Sequence, residues 1–153
     1  MFETPVDTLL LWMALGAVAV AVLGVVGNVP TTAPPDAAGM AATIDEVTTS
    51  PSGSVRRRPV AAESWRLDGR RLELRNDGGT AHARLTRRAV PVGTGPLSHV
   101  LSEGAPGQVF TSPTAFKRAV RRGAAATDGW RPAPDRLTVR HVVWRGIDVT
   151  LVG

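Results

Sequence analysis

The sequence predicts an α+β protein, in which an N-terminal transmembrane helix precedes a small domain with a mainly antiparallel sheet and two or three short helices. Three observations carry that prediction. Leu9 to Val26 is an apolar run without a charged residue; Asp36 to Thr49 repeats its apolar positions at helical spacing; and from Glu63 onward short alternating runs are punctuated by Gly, Asn and Asp. The chain accordingly divides into a tail and membrane helix (1–29), a Pro-rich linker, amphipathic helix and arginine-containing loop (30–62), and a small α+β domain (63–153).

The apolar run comes first. At about 1.5 Å per residue, the roughly 21 residues from Thr8 to Asn28 span about 30 Å, the thickness of a bilayer's hydrocarbon core. A core helix of a water-soluble protein keeps a polar face, and this run has none. A cleaved signal peptide wants a basic start and a shorter apolar stretch, whereas Met1 to Asp7 holds Glu3 and Asp7 and no Lys or Arg. The run therefore reads as an uncleaved anchor. Ala14, Ala17, Ala21, Gly24 and Asn28 recur at spacings of three and four on one face, a candidate packing stripe on which a second transmembrane helix could approach closely. The first basic residue after the run is Arg56, too distant for the positive-inside rule to set orientation. Small domains behind an N-terminal span generally face outward, so the C-terminal domain is expected to be extracellular.

Pro30, Pro34 and Pro35 interrupt any continuing helix. Asp36 can cap a helix running to about Thr49, with Ala37, Met40, Ala41, Ile44, Val47 and Thr48 on one face and Pro51 as its stop. Ser50 to Ala62 reads as a loop carrying Arg56, Arg57 and Arg58. Asp68-Gly69 is expected to join Ser64–Leu67 to Arg70–Arg75 as a hairpin, and Asn76-Asp77-Gly78-Gly79 to return the chain into Thr80–Val90. That meander buries Trp65, Leu67, Leu72, Leu74, Ala81, Ala83 and Leu85 together. Its outer face gathers Arg66, Arg71, Glu73, His82, Arg84, Thr86 and Arg88, with Glu73 opposite His82 so that the carboxylate would favour a protonated imidazole.

Two helices follow. Pro96 to Ser102 is a short one ended by Glu103-Gly104; Ser112 and Pro113 open a better one to about Ala125, with Phe116, Ala119, Val120 and Ala124 inward and Lys117, Arg118, Arg121 and Arg122 outward. The chain closes on a hairpin, Arg136–Trp144 with Ile147–Val152, turning at Arg145-Gly146.

Composition limits the chemistry. The chain has no cysteine, and only Lys117 among its 18 basic residues is a lysine; its 13 acids fall to 11 once Glu3 and Asp7 in the tail are set aside. That basic excess favours anionic surroundings, and Arg66, Arg71, Arg84 and Arg88 form the candidate anion-binding face. His82, His99 and His141 match no metal spacing, and no Gly-x-Ser-x-Gly elbow occurs. Gly78-Gly79 and Gly93-Thr94-Gly95 lack the lysine and the strand-to-helix context of a phosphate cradle and read as turns. No cofactor or metal is expected and no enzymatic activity. Nucleic acid is disfavoured as a partner, because the chain has no Tyr and its tryptophans fall mainly on core faces.

The start MFETPVDTLLLW, the stretch PTTAPPDAAGMAATIDEV, the segment LRNDGGTAHA and the close VWRGIDVTLVG together resemble an uncharacterised family of short, single-span membrane-anchored proteins of halophilic archaea, a domain of unknown function. The resemblance covers most of the chain, and no chemistry is attached to its motifs. It implies a membrane protein with an outward-facing domain and an association with pilus-like or secretion machinery. One departure is the charge: proteins of that setting are usually acidic, and this chain is basic. The expected role is then a non-enzymatic accessory or structural protein of the archaeal cell envelope, its partners being the lipid bilayer, another transmembrane helix or pilin-like envelope proteins. The alternative is a membrane-tethered module that binds anionic glycans or lipid headgroups through its arginine-rich face.

Overall fold

Asp36 accepts a hydrogen bond from the Gly39 N–H at 2.7 Å and so starts α1, Ala37–Thr49, at the residue expected to cap it. The computed structural model describes Met13 and residues 32–126 and 129–153; apart from Met13 the expected membrane helix, and with it Ala14, Ala17, Ala21, Gly24 and Asn28, lies outside the described residues. Among the described residues no helix is long and apolar enough to cross a membrane. Thr32–Gly153 forms one compact unit.

The buried face of α1 is Ala37, Met40, Ala41, Ile44, Val47 and Thr48, as its periodicity predicts. Two four-stranded sheets meet it. One contains β1 (Val55–Pro59), β7 (Arg136–Trp144), β8 (Ile147–Val152) and β5 (Ala89–Pro91) in that order, antiparallel except for the parallel pair β8 and β5. The other is antiparallel throughout, in the order β4 (Gly79–Arg84), β3 (Arg71–Asn76), β2 (Ser64–Asp68), β6 (Arg131–Pro132). In the first core, α1 is packed with Trp65, Leu67, Leu72 and Leu74 of one sheet and with Leu137, Val139 and Val152 of the other.

A second core lies on the opposite face of the β1-β7-β8-β5 sheet. Val142, Val149 and Leu151 pack there against α2 (Pro96–Ser102), Phe110 at the end of α3 (Pro106–Val109), and α4 (Pro113–Ala125). Phe116 meets the Phe110 and Trp144 rings edge to face at 5.3 and 5.7 Å, the arrangement favoured by the ring quadrupoles. Period-two alternation lets β8 serve both cores, since Leu151 points to one and Val152 to the other.

The closing hairpin has the expected register, Trp144 opposite Ile147 and Val142 opposite Val149. Arg145 and Gly146 both have positive φ, 50° and 80°, which a two-residue turn of this twist requires. The first hairpin differs. Its two central residues are Gly69 and Arg70, because Asp68 pairs with Arg71, and only Gly69 has positive φ. The shift moves both strands by one residue, so Trp65, Leu67, Leu72 and Leu74 still share a face.

Three further expectations are corrected. The stretch Ser50–Ala62 contains strand β1, an edge strand paired with β7. Its arginines conceal it, because an exposed edge shows no apolar alternation, and all three are drawn into ion pairs: Arg56 with Glu46, Arg57 with Glu103, Arg58 with Asp36. The expected strand Thr80–Val90 is two strands in different sheets. Asp45 receives both the N–H and the hydroxyl of Thr86, fixing the bend through which the chain leaves β4 for β5. On α4, Phe116 and Ala119 are buried but Ala124 is exposed.

Candidate anion-binding surface

On the outer face of the β4-β3-β2-β6 sheet, register sets Glu73 between Arg66 on β2 and His82 on β4. Glu73 is only 6% exposed, so its charge must be met by protein. Arg66 donates to Oε2 through Nε at 3.0 Å and again through Nη2, while Arg71 Nε lies 2.6 Å from Oε1. Burial by itself would raise this carboxyl's pKa. The hydrogen bonds and charge of Arg66, then those of Arg71, outweigh it and hold the group below the ordinary carboxylate range. The expected pairing of Glu73 with His82 is therefore superseded: the two are opposite each other in register, but the arginines take both carboxylate oxygens.

Arg66 is further held over the Trp130 ring, 5.2 Å from its centroid, and Arg75 covers the same ring at 4.0 Å. Arg66 is thus a structural clamp as much as a surface charge. Arg71 divides its role, paired to Glu73 yet directly opposite Arg84 across the β3–β4 ladder. Like charges so placed repel, and an anion between them would relieve that repulsion.

Such an anion has a recess to enter. Arg84 and Arg88 line a cleft of about 650 Å³ together with Asp68, Gly69, Arg70 and Ala124. Arg71 and His82 line an adjoining one of about 410 Å³ that shares Asp68, Arg70 and Arg84 as walls. Among the described residues no carboxylate lies within ion-pair distance of Arg70, Arg84 or Arg88. Of the four expected residues, Arg84 and Arg88 line one cleft, Arg71 lines the adjoining one that Arg84 shares, and Arg66 lines neither. Arg70 is the member that strand periodicity misses, because it sits in the turn rather than on the strand face.

The remaining charged groups are placed differently. Lys117, Arg118 and Arg121 flank a shallow groove of about 220 Å³ on α4. His141 is buried and bonded through Nδ1 to the Ser50 carbonyl at 2.7 Å and through Nε2 to Asp148 at 2.8 Å. Among the described residues no cluster of His, Cys, Asp and Glu could hold a metal ion. What the arrangement can do is bind anions: guanidinium groups in a recess make short, directional, charge-assisted hydrogen bonds to carboxylate, sulfate or phosphate oxygens.

Comparison with known proteins finds one family: a family of unknown function (DUF7283), matched over residues 3–142. No curated protein matches the chain, and no solved structure does.

Proposed function

The chain belongs to DUF7283, a family of unknown function, and from the geometry of its arginines we propose a non-enzymatic, membrane-anchored accessory protein of the archaeal cell envelope whose folded domain docks on an anionic partner. In this reading the apolar run Leu9 to Val26 is a single span, the domain Thr32–Gly153 stands outside the membrane, and acidic glycans on envelope components are the partner. The observation that carries it is the recess lined by Arg70, Arg84 and Arg88, whose guanidinium groups make no ion pair among the described residues although Asp68 shares the wall.

The recess matters for the setting that the sequence resemblance implies. In about 1 M salt the Debye length falls to about 3 Å, so charge spread over a flat face is screened. Contacts made at hydrogen-bond distance inside a cleft persist. Anchoring confines the domain to the envelope, and the small-residue stripe Ala14, Ala17, Ala21, Gly24 and Asn28 supplies the face on which a partner's span, such as that of a pilin-like protein, would pack.

The test uses full-length protein in zwitterionic nanodiscs, titrated with dextran sulfate as salt is raised. Binding that falls about ten-fold or more when Arg70, Arg84 and Arg88 are all changed to Gln supports the reading, since each charged hydrogen bond is worth about 1.5–3 kcal/mol. Unchanged binding in that variant overturns it. Binding to phosphatidylglycerol nanodiscs with none to dextran sulfate would transfer the site to lipid headgroups. Loss of co-purifying membrane proteins on Ala17→Leu with Ala21→Leu is the matching expectation for the span.

A further inference from the structure

A second arginine-lined cleft, of about 380 Å³, lies at the other side of the α4 C-terminus. Its walls come from three places in the chain: the loop Gly93-Thr94-Gly95, Arg122 on α4, and Arg131 on β6. Sequence reading passes over Gly93-Thr94-Gly95 as a turn without strand-to-helix context. In the fold that context exists: buried strand β5 ends at Pro91, the loop follows, and α2 begins at Pro96. The two cationic groups that a glycine loop alone lacks are supplied from distant segments.

The local geometry explains the convergence. Gly123 brings α4 close to β5, for a Cβ there would lie 3.0 Å from Val90 Cγ1; the preceding residue, Arg122, is thereby set beside the loop. Arg131 Nη2 donates to the Ala126 carbonyl at 2.6 Å, so one side of its guanidinium is spent holding the end of α4. The other side, Nη1, is buried and has no hydrogen-bond partner among the described residues. A guanidinium nitrogen removed from water and left unbonded is unfavourable. Among the described residues no Asp or Glu lines this cleft.

The facing wall offers donors as well. Among the described residues the N–H groups of Gly93, Thr94 and Gly95 make no backbone hydrogen bond; the loop is exposed, and Thr94 adds a hydroxyl. Consecutive unbonded N–H groups opposite two guanidinium groups form a concavity suited to a tetrahedral oxyanion.

We propose that this cleft is a binding site for a phosphate or sulfate group, held between Arg122 and Arg131 on one side and the Gly93-Thr94-Gly95 backbone on the other. The site is separate from the Arg70, Arg84 and Arg88 recess and does not depend on the function proposed for it.

Full-length protein in zwitterionic nanodiscs is titrated with sodium phosphate and sodium sulfate at ionic strength held constant with chloride, following thermal stability and the amide resonances of Gly93, Thr94 and Gly95. The expected result is an anion-specific rise in midpoint with shifts at those three amides. Arg122→Gln should weaken binding about ten-fold or more, as loss of a charge-assisted hydrogen bond implies. Arg122 is exposed on the helix surface, so this variant should fold, and Arg131→Lys provides a second. Lys117→Gln, which removes a charge on α4 outside both clefts, should leave the titration unchanged, and the shifts at the three loop amides keep this site distinguishable from the Arg70, Arg84 and Arg88 recess. Methyl phosphate and methyl sulfate identify the source: binding as tight as the free ions indicates an ester on a glycan or headgroup, and their exclusion indicates the free ion. No effect beyond chloride, no shift at the three loop amides, or equal loss in Lys117→Gln overturns the proposal.

Discussion

The hydroxyls of Thr48 and Thr150 lie 2.9 Å apart across the buried contact between α1 and β8, though 102 residues separate them in the chain. Thr48 also donates to the Ile44 carbonyl at 2.7 Å. Its single hydroxyl proton is thus committed, so Thr150 must be the donor between the pair. The two positions are consequently unequal. Thr48→Val leaves the Thr150 hydroxyl buried with its acceptor removed and should cost about 1–3 kcal/mol. Thr150→Val removes the donor but leaves the Thr48 proton bonded, and should cost less. Replacing both with Val should destabilise by less than the sum, and urea titrations of the three variants measure the coupling.

Glu73 makes stability depend on acid. Its carboxyl is held below the ordinary range in the folded protein because Arg66 and then Arg71 outweigh the opposing effect of burial. A depressed folded pKa contributes stability that is complete above the unfolded carboxylate value of about 4.3 and is lost as pH falls through the lower folded value. Glu73→Gln should remove about 1–2 kcal/mol at neutral pH, a modest amount because both arginines are partly exposed and can turn to water. It should also flatten the acid limb of the stability curve, read from denaturant midpoints between pH 7 and pH 3.

These residues also separate what was legible in the sequence from what was not. The α1 face, the closing hairpin and the shared face of Trp65, Leu67, Leu72 and Leu74 follow from local periodicity and turn chemistry, and each is found. Strand β1 was hidden because Arg56, Arg57 and Arg58 are satisfied by acids on other elements, a tertiary fact. Strand β5 was hidden because three residues buried beside a parallel neighbour show no alternation. At the candidate anion-binding surface, parity placed Arg66, Arg71 and Arg84 on one face of the sheet. Parity does not say that Glu73 is buried, and that burial withdraws Arg66 from the free set. The Arg131 and Arg122 cleft was not legible at all, since it depends on α4 meeting the loop after β5.

Arg140 is a further element that sequence reading leaves unassigned. Its Nη1 donates to the Val100 carbonyl at 2.5 Å and the Gly104 carbonyl at 3.3 Å, supplying a cation at the C-terminal end of α2, where carbonyls lack helical partners. Arg140→Met keeps the stem's packing and removes the donors. The expected loss is about 1–3 kcal/mol, with faster amide exchange in Pro96–Ser102 than elsewhere in the domain. Arg140→Lys should recover only part of it, because one ammonium cannot reproduce the spread of the guanidinium fork.

The chain's last three residues bind both cores and both neighbours of β8 at once. Leu151 is fully buried in the core with α2 and α4, and Val152 in the core with α1. Their backbone sustains β5, through Val92 N–H to the Val152 carbonyl at 2.7 Å, and β7, through reciprocal bonds between Gly153 and Thr138 at 2.7 and 3.0 Å. Deleting Leu151 to Gly153 should therefore abolish cooperative folding, since two buried side chains at about 1.5–3 kcal/mol each and the docking of β5 are lost together. Val152→Ala is the graded version: a cavity among Ile44, Leu137 and Val139, destabilising by about 2–4 kcal/mol. Gly153→Ala tests the backbone approach, because its Cβ would lie 2.9 Å from the Val92 carbonyl oxygen and must push β5 outward. Thermal denaturation of the three variants should rank the deletion as most severe, and a deletion that still melts cooperatively would mean that β5 docks without its parallel partner.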